Sequence, residues 1–339
     1  MQKDIRPSRL FLIRDKMKYF VLFFLFLIQL TACQKDKLDI PDTGRKLVIN
    51  ALITTDSLLN IRLDKSTYYN EIAYVQMSEL DNAKVLFYLN SICIDSCHFV
   101  HNYLYSDLDF FYPSNYWSRS ILPLPGEKYT IMAKVPGFPD ATASTTVPEM
   151  VRIERLDTSR ILVARNPYYP DMSNVVMSCN INFTDPGNET NYYMISVTKG
   201  PQVGFNAPFI RLDVQDPIVE EKMSNVNGVY AIAFSDKAIN GEKYSVKISI
   251  DANEIGMPFR DDRPRTDGIP DTTYHKKVVY FRLYSITQDY YKYVQTLNMY
   301  KKNYGNPLTE PVMIYSNITG GYGIFAAAAV SSDSIVFNY

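Results

Sequence analysis

Histidine is scarce: His98, His101 and His275 are the only three in 339 residues. That leaves little material for imidazole-based acid–base or triad chemistry. The chain has no Gly-x-Ser-x-Gly elbow, no His-Glu-x-x-His pair and no Gly-rich loop ending in Lys-Ser/Thr. The ordinary signatures of serine hydrolases, zinc peptidases and nucleotide hydrolases are therefore missing, and an enzyme is not expected. Carboxylate-only hydrolysis of a surface polymer is the one catalytic class left open, because it needs just two acids at a suitable separation. The densest acidic stretch, Asp261 to Asp271, reads as a solvated hairpin loop instead, since Arg260, Arg263 and Arg265 would oppose a cation there. No metal and no cofactor are expected.

A large excess of one charge is lacking as well. Six of the 35 basic groups and two of the 36 acidic ones lie in the first 32 residues, which leaves 29 and 34 for the remaining chain, a net −5. A body of that sign, with no basic stripe, is poorly suited to neutralise phosphate backbones, so nucleic acid is not an expected partner. With 46% hydrophobic and 21% charged residues, wholesale disorder and a polytopic membrane protein are both excluded. The length allows about two domains.

Long hydrophobic runs are absent too, with one short exception. Tyr19 to Ile28 is unbroken and apolar, preceded by Lys16 and Lys18 and followed by Leu30-Thr31-Ala32-Cys33. A spanning helix needs about 20 apolar residues, and this run stops well short. A charged start, a short apolar run and small residues before a cut describe a secretory signal peptide over residues 1–32. Leu30-Thr31-Ala32-Cys33 resembles a bacterial lipobox, in which Cys33 is diacylated and becomes the mature N-terminus. Met17 offers an alternative start, since Met17-Lys18 and the apolar run already make a complete signal. Residues 33–44 are polar and read as a tether between anchor and first strand. Outer-membrane lipid, reached through acylated Cys33, is the first expected partner. In Bacteroidota, acids just after the lipidated cysteine resemble a signal for surface display; here Asp36 and Asp39 are interrupted by Lys37, so that likeness is partial.

Export would place Cys93, Cys97 and Cys179 in an oxidising compartment. Cys93 and Cys97 suit a small disulfide-closed loop, with Cys179 left free and buried. Free thiols are the alternative. With His98 and His101 the string also invites a zinc reading, although adjacent Cys97 and His98 are awkward for one tetrahedral centre.

The mature chain is strand-like nearly throughout. Leu47–Ile53, Leu59–Leu63, Lys84–Leu89, Lys128–Val135 and Thr142–Val147 are short apolar or alternating runs, punctuated by Pro125-Gly126 and Pro136-Gly137. They predict an immunoglobulin-like antiparallel β-sandwich over residues 45–150, with Tyr129 at the place of a corner tyrosine. A second antiparallel β domain is expected over 151–339, with strands near 179–184, 192–197, 230–234, 244–250 and 277–283. Its one helix, at about 286–303, opens on a capping-box pattern of Ser285 and Gln288 and ends before Gly305-Asn306-Pro307.

Between Ser91 and Leu122 aromatics crowd a stretch rich in Ser, Asn and Asp. Tyr105, Phe111, Tyr112, Tyr116 and the only Trp, Trp117, are the candidate ligand or partner contacts. The competing reading packs them beneath the loop.

Taken in order, the lipobox, Leu47-Val48-Ile49-Asn50, Pro125-Gly126-Glu127-Lys128-Tyr129, Phe183-Thr184-Asp185-Pro186, Gly241-Glu242-Lys243-Tyr244 and Asn317-Ile318 with Gly320-Gly321-Tyr322-Gly323-Ile324-Phe325 resemble one family. It is the Bacteroidota lipoprotein family called domain of unknown function 4249. The resemblance covers essentially the whole mature chain, and its C-terminal string is the most specific part. It carries no catalytic residues over. It implies a cell-envelope lipoprotein accessory to a TonB-dependent β-barrel transporter, in nutrient capture. A structural or adhesive surface lipoprotein without a small ligand is the alternative.

Overall fold

The computed structural model describes residues 44–67, 80–100, 116–165, 172–201, 209–214, 216–225, 228–251, 254–255, 260–261, 276–304, 306 and 309–338. The expected signal segment, Cys33 and its tether lie outside them, as does most of the acidic stretch 261–271. Residues Arg45–Tyr339 form one compact unit.

The N-terminal half is built from β1 (Leu47–Thr54), β2 (Asn60–Lys65), β3 (Lys84–Leu89), β4 (Ile92–Phe99), β5 (Tyr116–Trp117), β6 (Lys128–Lys134) and β7 (Ala141–Thr146). Strict alternation makes these strands: in β1, Leu47, Ile49, Ala51 and Ile53 are buried while the residues between them are half-exposed. The same period places Tyr129, Ile131 and Ala133 of β6 in the same core. The corner tyrosine is present, since Leu124 N–H donates to Tyr129 Oη at 3.1 Å.

The C-terminal half contains β8 (Arg155–Arg165), β9 (Met172–Thr184), β10 (Tyr192–Thr198), β11 (Glu221–Asn225), β12 (Gly228–Ser235), β13 (Lys243–Asp251), β14 (Arg260–Asp261), β15 (Lys276–Ile286), helix α1 (Gln288–Asn303) and β16 (Tyr322–Asn338). The fold is mostly β, with one α-helix near the C-terminus among the described residues.

Twelve strands share one sheet, in the order β11-β12-β10-β15-β16-β1-β2-β5-β4-β3-β6-β7. The seven from β1 to β7 curve about one core, and Thr142 of β7 bridges to Thr319 just ahead of β16. A second sheet, with β9 paired to β8, β13 and β14, faces the other half and buries Cys179, Ile181, Phe183, Val246, Ile248 and Ile250 against Ile195, Phe281 and Leu283. On the opposite side of the twelve-stranded sheet, α1 lays Tyr290, Tyr291 and Val294 over β10, β12 and β15.

The core does change near residue 150, from Val147 and Met150 in one cluster to Val151 in the next. The sheet does not break there. Strand β16 lies beside β1 in parallel register, Val48 opposite Tyr322 through Thr54 opposite Ala328, and then beside β15 in antiparallel register. The end of the chain thus completes the N-terminal half, so residues 45–150 alone lack a core strand. Alanines make this sharing work. Ala326 and Ala328 face α1 while Ala327 and Ala329 face the N-terminal core, and small side chains let both layers approach one strand.

Two sequence expectations require correction. Cys93 and Cys97 do not bridge: both are free thiols, Cys93 exposed and Cys97 buried. They lie on one extended strand, where four residues span roughly 13 Å, about twice the Cα separation a disulfide tolerates. The capping box at α1 is also not made. Ser285 still belongs to β15, and its hydroxyl accepts from Val151 N–H at 3.1 Å. Gln288 donates to Tyr192 Oη at 2.8 Å instead, and Thr287 occupies the N-cap without a side-chain bond.

Candidate functional site

Of the candidate contact residues, Tyr105, Phe111 and Tyr112 lie outside the described residues. Tyr116 is a core residue, 1% exposed. Its hydroxyl donates to Leu80 O and accepts from Ala83 N–H at 3.1 Å, and Phe99 meets its ring edge-on at 5.4 Å. Burial pushes its phenol up to about 12. A ring locked in this way ties the chain ahead of β3 to the sheet and cannot serve as a contact surface. Trp117 is half-buried in the two-residue strand β5, opposite Asn60 and His98. Among the described residues no three His, Cys, Asp or Glu side chains gather as metal ligands.

The best-formed site lies elsewhere, between α1 and the twelve-stranded sheet. A cleft of about 190 Å³ is walled by apolar side chains from four directions. Strand β1 contributes Leu52, β10 contributes Met194, β11 and β12 contribute Met223 and Tyr230, and α1 contributes Tyr290, Val294 and Leu297. The wall exists because α1 has a single apolar stripe while β12 and β16 present alanines beneath it, so the helix covers the sheet without filling the space beside Ala231. Methionines in such a wall adapt to ligand shape.

Polar groups converge on one part of this cleft. Thr54 Oγ1 donates to Asp56 Oδ1 at 2.7 Å and lies 2.8 Å from Ser57 Oγ. Thr54 has one proton, already given to Asp56, so Ser57 is the donor to Thr54. Asp56 Oδ2 stands 3.8 Å from Nε of Arg282, whose side chain is buried and also reaches Thr198 Oγ1 at 2.6 Å and Pro201 O at 3.0 Å. Ser196 Oγ donates to Tyr284 Oη at 3.3 Å. Burial holds the Tyr284 phenol up at about 12, with the Ser196 bond lowering it, Asp56 raising it and Arg282 lowering it. Burial is also the main cause of the rise at Tyr290, where Tyr293 and Tyr284 add to it. At the mouth, Asn298 donates to Glu221 Oε2 at 2.7 Å and Lys301 stays exposed.

Two further grooves are more open. One of about 410 Å³ runs over Glu154, Arg155, Asn182 and Tyr244, and one of about 320 Å³ is edged by Lys199, Lys276 and Lys277. The second also carries Pro201, Ile255, Val278 and Val279, but it is more open than the α1 cleft.

Sequence reading missed the α1 cleft because its lining runs from Leu52 to Lys301 with no local cluster. The one available signal was the helix, whose tyrosines at positions 290, 291 and 293 exceed what a simple core stripe needs.

No curated protein matches the chain. Among solved structures, a crystal structure of a protein from Corynebacterium diphtheriae described as membrane-anchored aligns at 13% identity with a TM-score of 0.19. The alignment covers 82% of this chain and 59% of that one. The family model described as domain of unknown function, DUF4249, matches residues 35–334. That span takes in both halves of the sheet, α1 and nearly all of β16, and the chain belongs to the DUF4249 family.

Proposed function

We propose that this chain is a lipid-anchored outer-membrane binding protein that captures a small molecule in the α1 cleft and passes it to a TonB-dependent transporter. The observation that carries the reading is the cleft itself. It is largely apolar, walled by strands β1, β10, β11 and β12 and by α1, and has a few polar groups on one side, which is the usual build of a small-molecule site. The lipobox at Leu30–Cys33 supplies the anchor, and the residues after it supply reach. The transporter belongs to the reading through the family resemblance.

A test replaces Leu297, half-exposed at the cleft, by Trp, so that an indole fills the space without disturbing the buried face of α1. Protein isolated from native membranes is extracted with organic solvent and the extract compared by mass spectrometry. The wild type is expected to yield a small molecule that L297W lacks. Identical extracts from the two proteins would count against capture in this cleft.

The adhesive or structural alternative draws on exposed apolar side chains around the end of α1 and the segment after it. Met299, Tyr300 and Tyr304 are exposed there, and Met313 is 88% exposed.

A further inference from the structure

The polar side of the cleft constrains what it accepts, and this inference rests on the binding reading above. Tyr284 and Tyr290 are 8% and 7% exposed, both line the cleft, and both keep their phenol protons. Tyr284 Oη accepts from Ser196 and gives its own proton to no protein atom among the described residues. Tyr290 Oη makes no hydrogen bond to any described residue. A ligand that displaces water from the cleft without replacing its hydrogen bonds binds at a cost, so the undonated proton of Tyr284 and the open hydroxyl of Tyr290 at one cavity point to a ligand atom that accepts. The opposite requirement comes from Asp56 and Ser57. Their relay spends the protons of Ser57 and Thr54 internally, which leaves carboxylate and hydroxyl lone pairs as acceptors at the same cleft. Asp56 stands 3.8 Å from Nε of Arg282, which lies two residues from Tyr284 on the same face of β15, so the acceptors and the Tyr284 phenol line one part of the cleft.

We infer that the cleft takes a compact, uncharged, mostly apolar molecule bearing a hydroxyl, whose oxygen accepts from Tyr284 and Tyr290 and whose proton goes to Asp56 or Ser57. A hydroxyl is the small group that satisfies both sides at once. A carboxylate would face Asp56 with no proton to offer. An ammonium would bring protons to two phenols that need an acceptor. A hydrocarbon would leave the Tyr284 proton and the Tyr290 hydroxyl unmatched. Arg282 already neutralises Asp56 from the buried side, so the site as a whole calls for no compensating ligand charge. Lys301, exposed at the mouth, is screened by water and adds little selectivity.

The test uses four probes of similar size on the folded chain: 4-methylphenol, toluene, 4-methylbenzoate and benzylamine, with affinities read by titration calorimetry or ligand-observed NMR. 4-Methylphenol is expected to bind about tenfold more tightly than toluene, the effect of a satisfied pair of hydrogen bonds, and more tightly than either charged probe. Y284F and Y290F each keep their ring and should shrink the 4-methylphenol advantage severalfold while leaving toluene binding unchanged. L297W should abolish all binding. If 4-methylbenzoate or benzylamine binds best, or if the phenol advantage survives Y284F and Y290F together, the hydroxyl assignment is overturned while the cleft remains a binding site. If no probe binds, or if L297W binds them all unchanged, the cleft reading itself fails.

Discussion

Replacing Gly323 by alanine is expected to cost about 4 kcal/mol of folding stability. Gly323 lies in β16 at φ +103°, a conformation that side-chain-bearing residues rarely adopt. A Cβ there would overlap the Ile49 carbonyl oxygen and stand 2.9 Å from its carbon. Ile49 is the parallel-ladder partner of Gly323, so relief of the clash means parting β1 from β16 near the start of their register. Backbone strain costs about 1–3 kcal/mol and an unrelieved overlap about as much again. Together they approach 4 kcal/mol, a large share of the roughly 5–15 kcal/mol that holds a domain folded. Gly137 separates the two contributions. It has φ +85° and open space where a Cβ would go, so G137A should cost only about 1 kcal/mol. Urea unfolding followed by far-UV circular dichroism measures both. Equal costs for the two variants would show that the close approach to Ile49 is unimportant.

Asn317→Ala is the second large effect. Strand β15 pairs with β16 only as far as Ile286 opposite Ala328, because the chain then turns into α1. Between Tyr322 and Ala327, β16 has β1 on one side and, among the described residues, no strand on the other. Thr287 N–H takes the Ala327 carbonyl at 3.1 Å, and Asn317 takes Phe325. Its Nδ2 donates to Phe325 O at 2.8 Å while its Oδ1 accepts from Phe325 N–H at 3.0 Å, so one side chain imitates a neighbouring strand. The same Nδ2 donates to Asp289 at 3.1 Å, which ties the segment to the first turn of α1. Phe325 is fully buried, and alanine at position 317 would leave its N–H and C=O unmatched, at a cost of about 2–4 kcal/mol. Asn317→Asp keeps the acceptor but loses the donor and sets a carboxylate against Asp289, so at neutral pH it should destabilise at least as much. Losses below about 0.5 kcal/mol for both, the range of ordinary surface substitutions, would rule out the strand-mimic role.

The Asn317–Phe325 string thus has a structural role. Asn317, Gly320 and Gly323 bring one strand into contact with two layers, and none of them lines the α1 cleft. Gly320 lies at φ +78°, and a Cβ there would overlap the Asp140 carbonyl, next to the Thr142–Thr319 bridge.

Much of the fold was legible in residue pattern alone. Alternation marked β2, and short runs between turns marked β1, β3, β6, β7, β10, β12, β13 and β15, because each has at least one face on a core. Strand β4 was not legible. Ile92 is 70% exposed and a register shift near Tyr88 breaks its alternation, so its composition reads as loop. The β3–β4 turn was missed for a related reason: Asn90 and Ser91 both take positive φ, at 47° and 73°, without the usual glycine. The parallel pairing of β1 with β16 was invisible because 274 residues separate Val48 from Tyr322, and alanine has low strand propensity. The cleft was hidden by that same long-range topology. Aromatic density drew attention to residues 103–117, yet Tyr116 serves the core, while the tyrosines that line the cleft sit on β12, β15 and α1.

The most direct test of the proposed role is recovery of the native, lipidated protein from detergent-solubilised outer membranes, with its partners identified by mass spectrometry. Capture and delivery predict a TonB-dependent β-barrel in near-stoichiometric amount, lost when Cys33 is replaced by Ser and the protein is released from the membrane. Recovery of the wild-type protein alone, or with envelope polymers only, would contradict that role and favour an adhesive or structural lipoprotein.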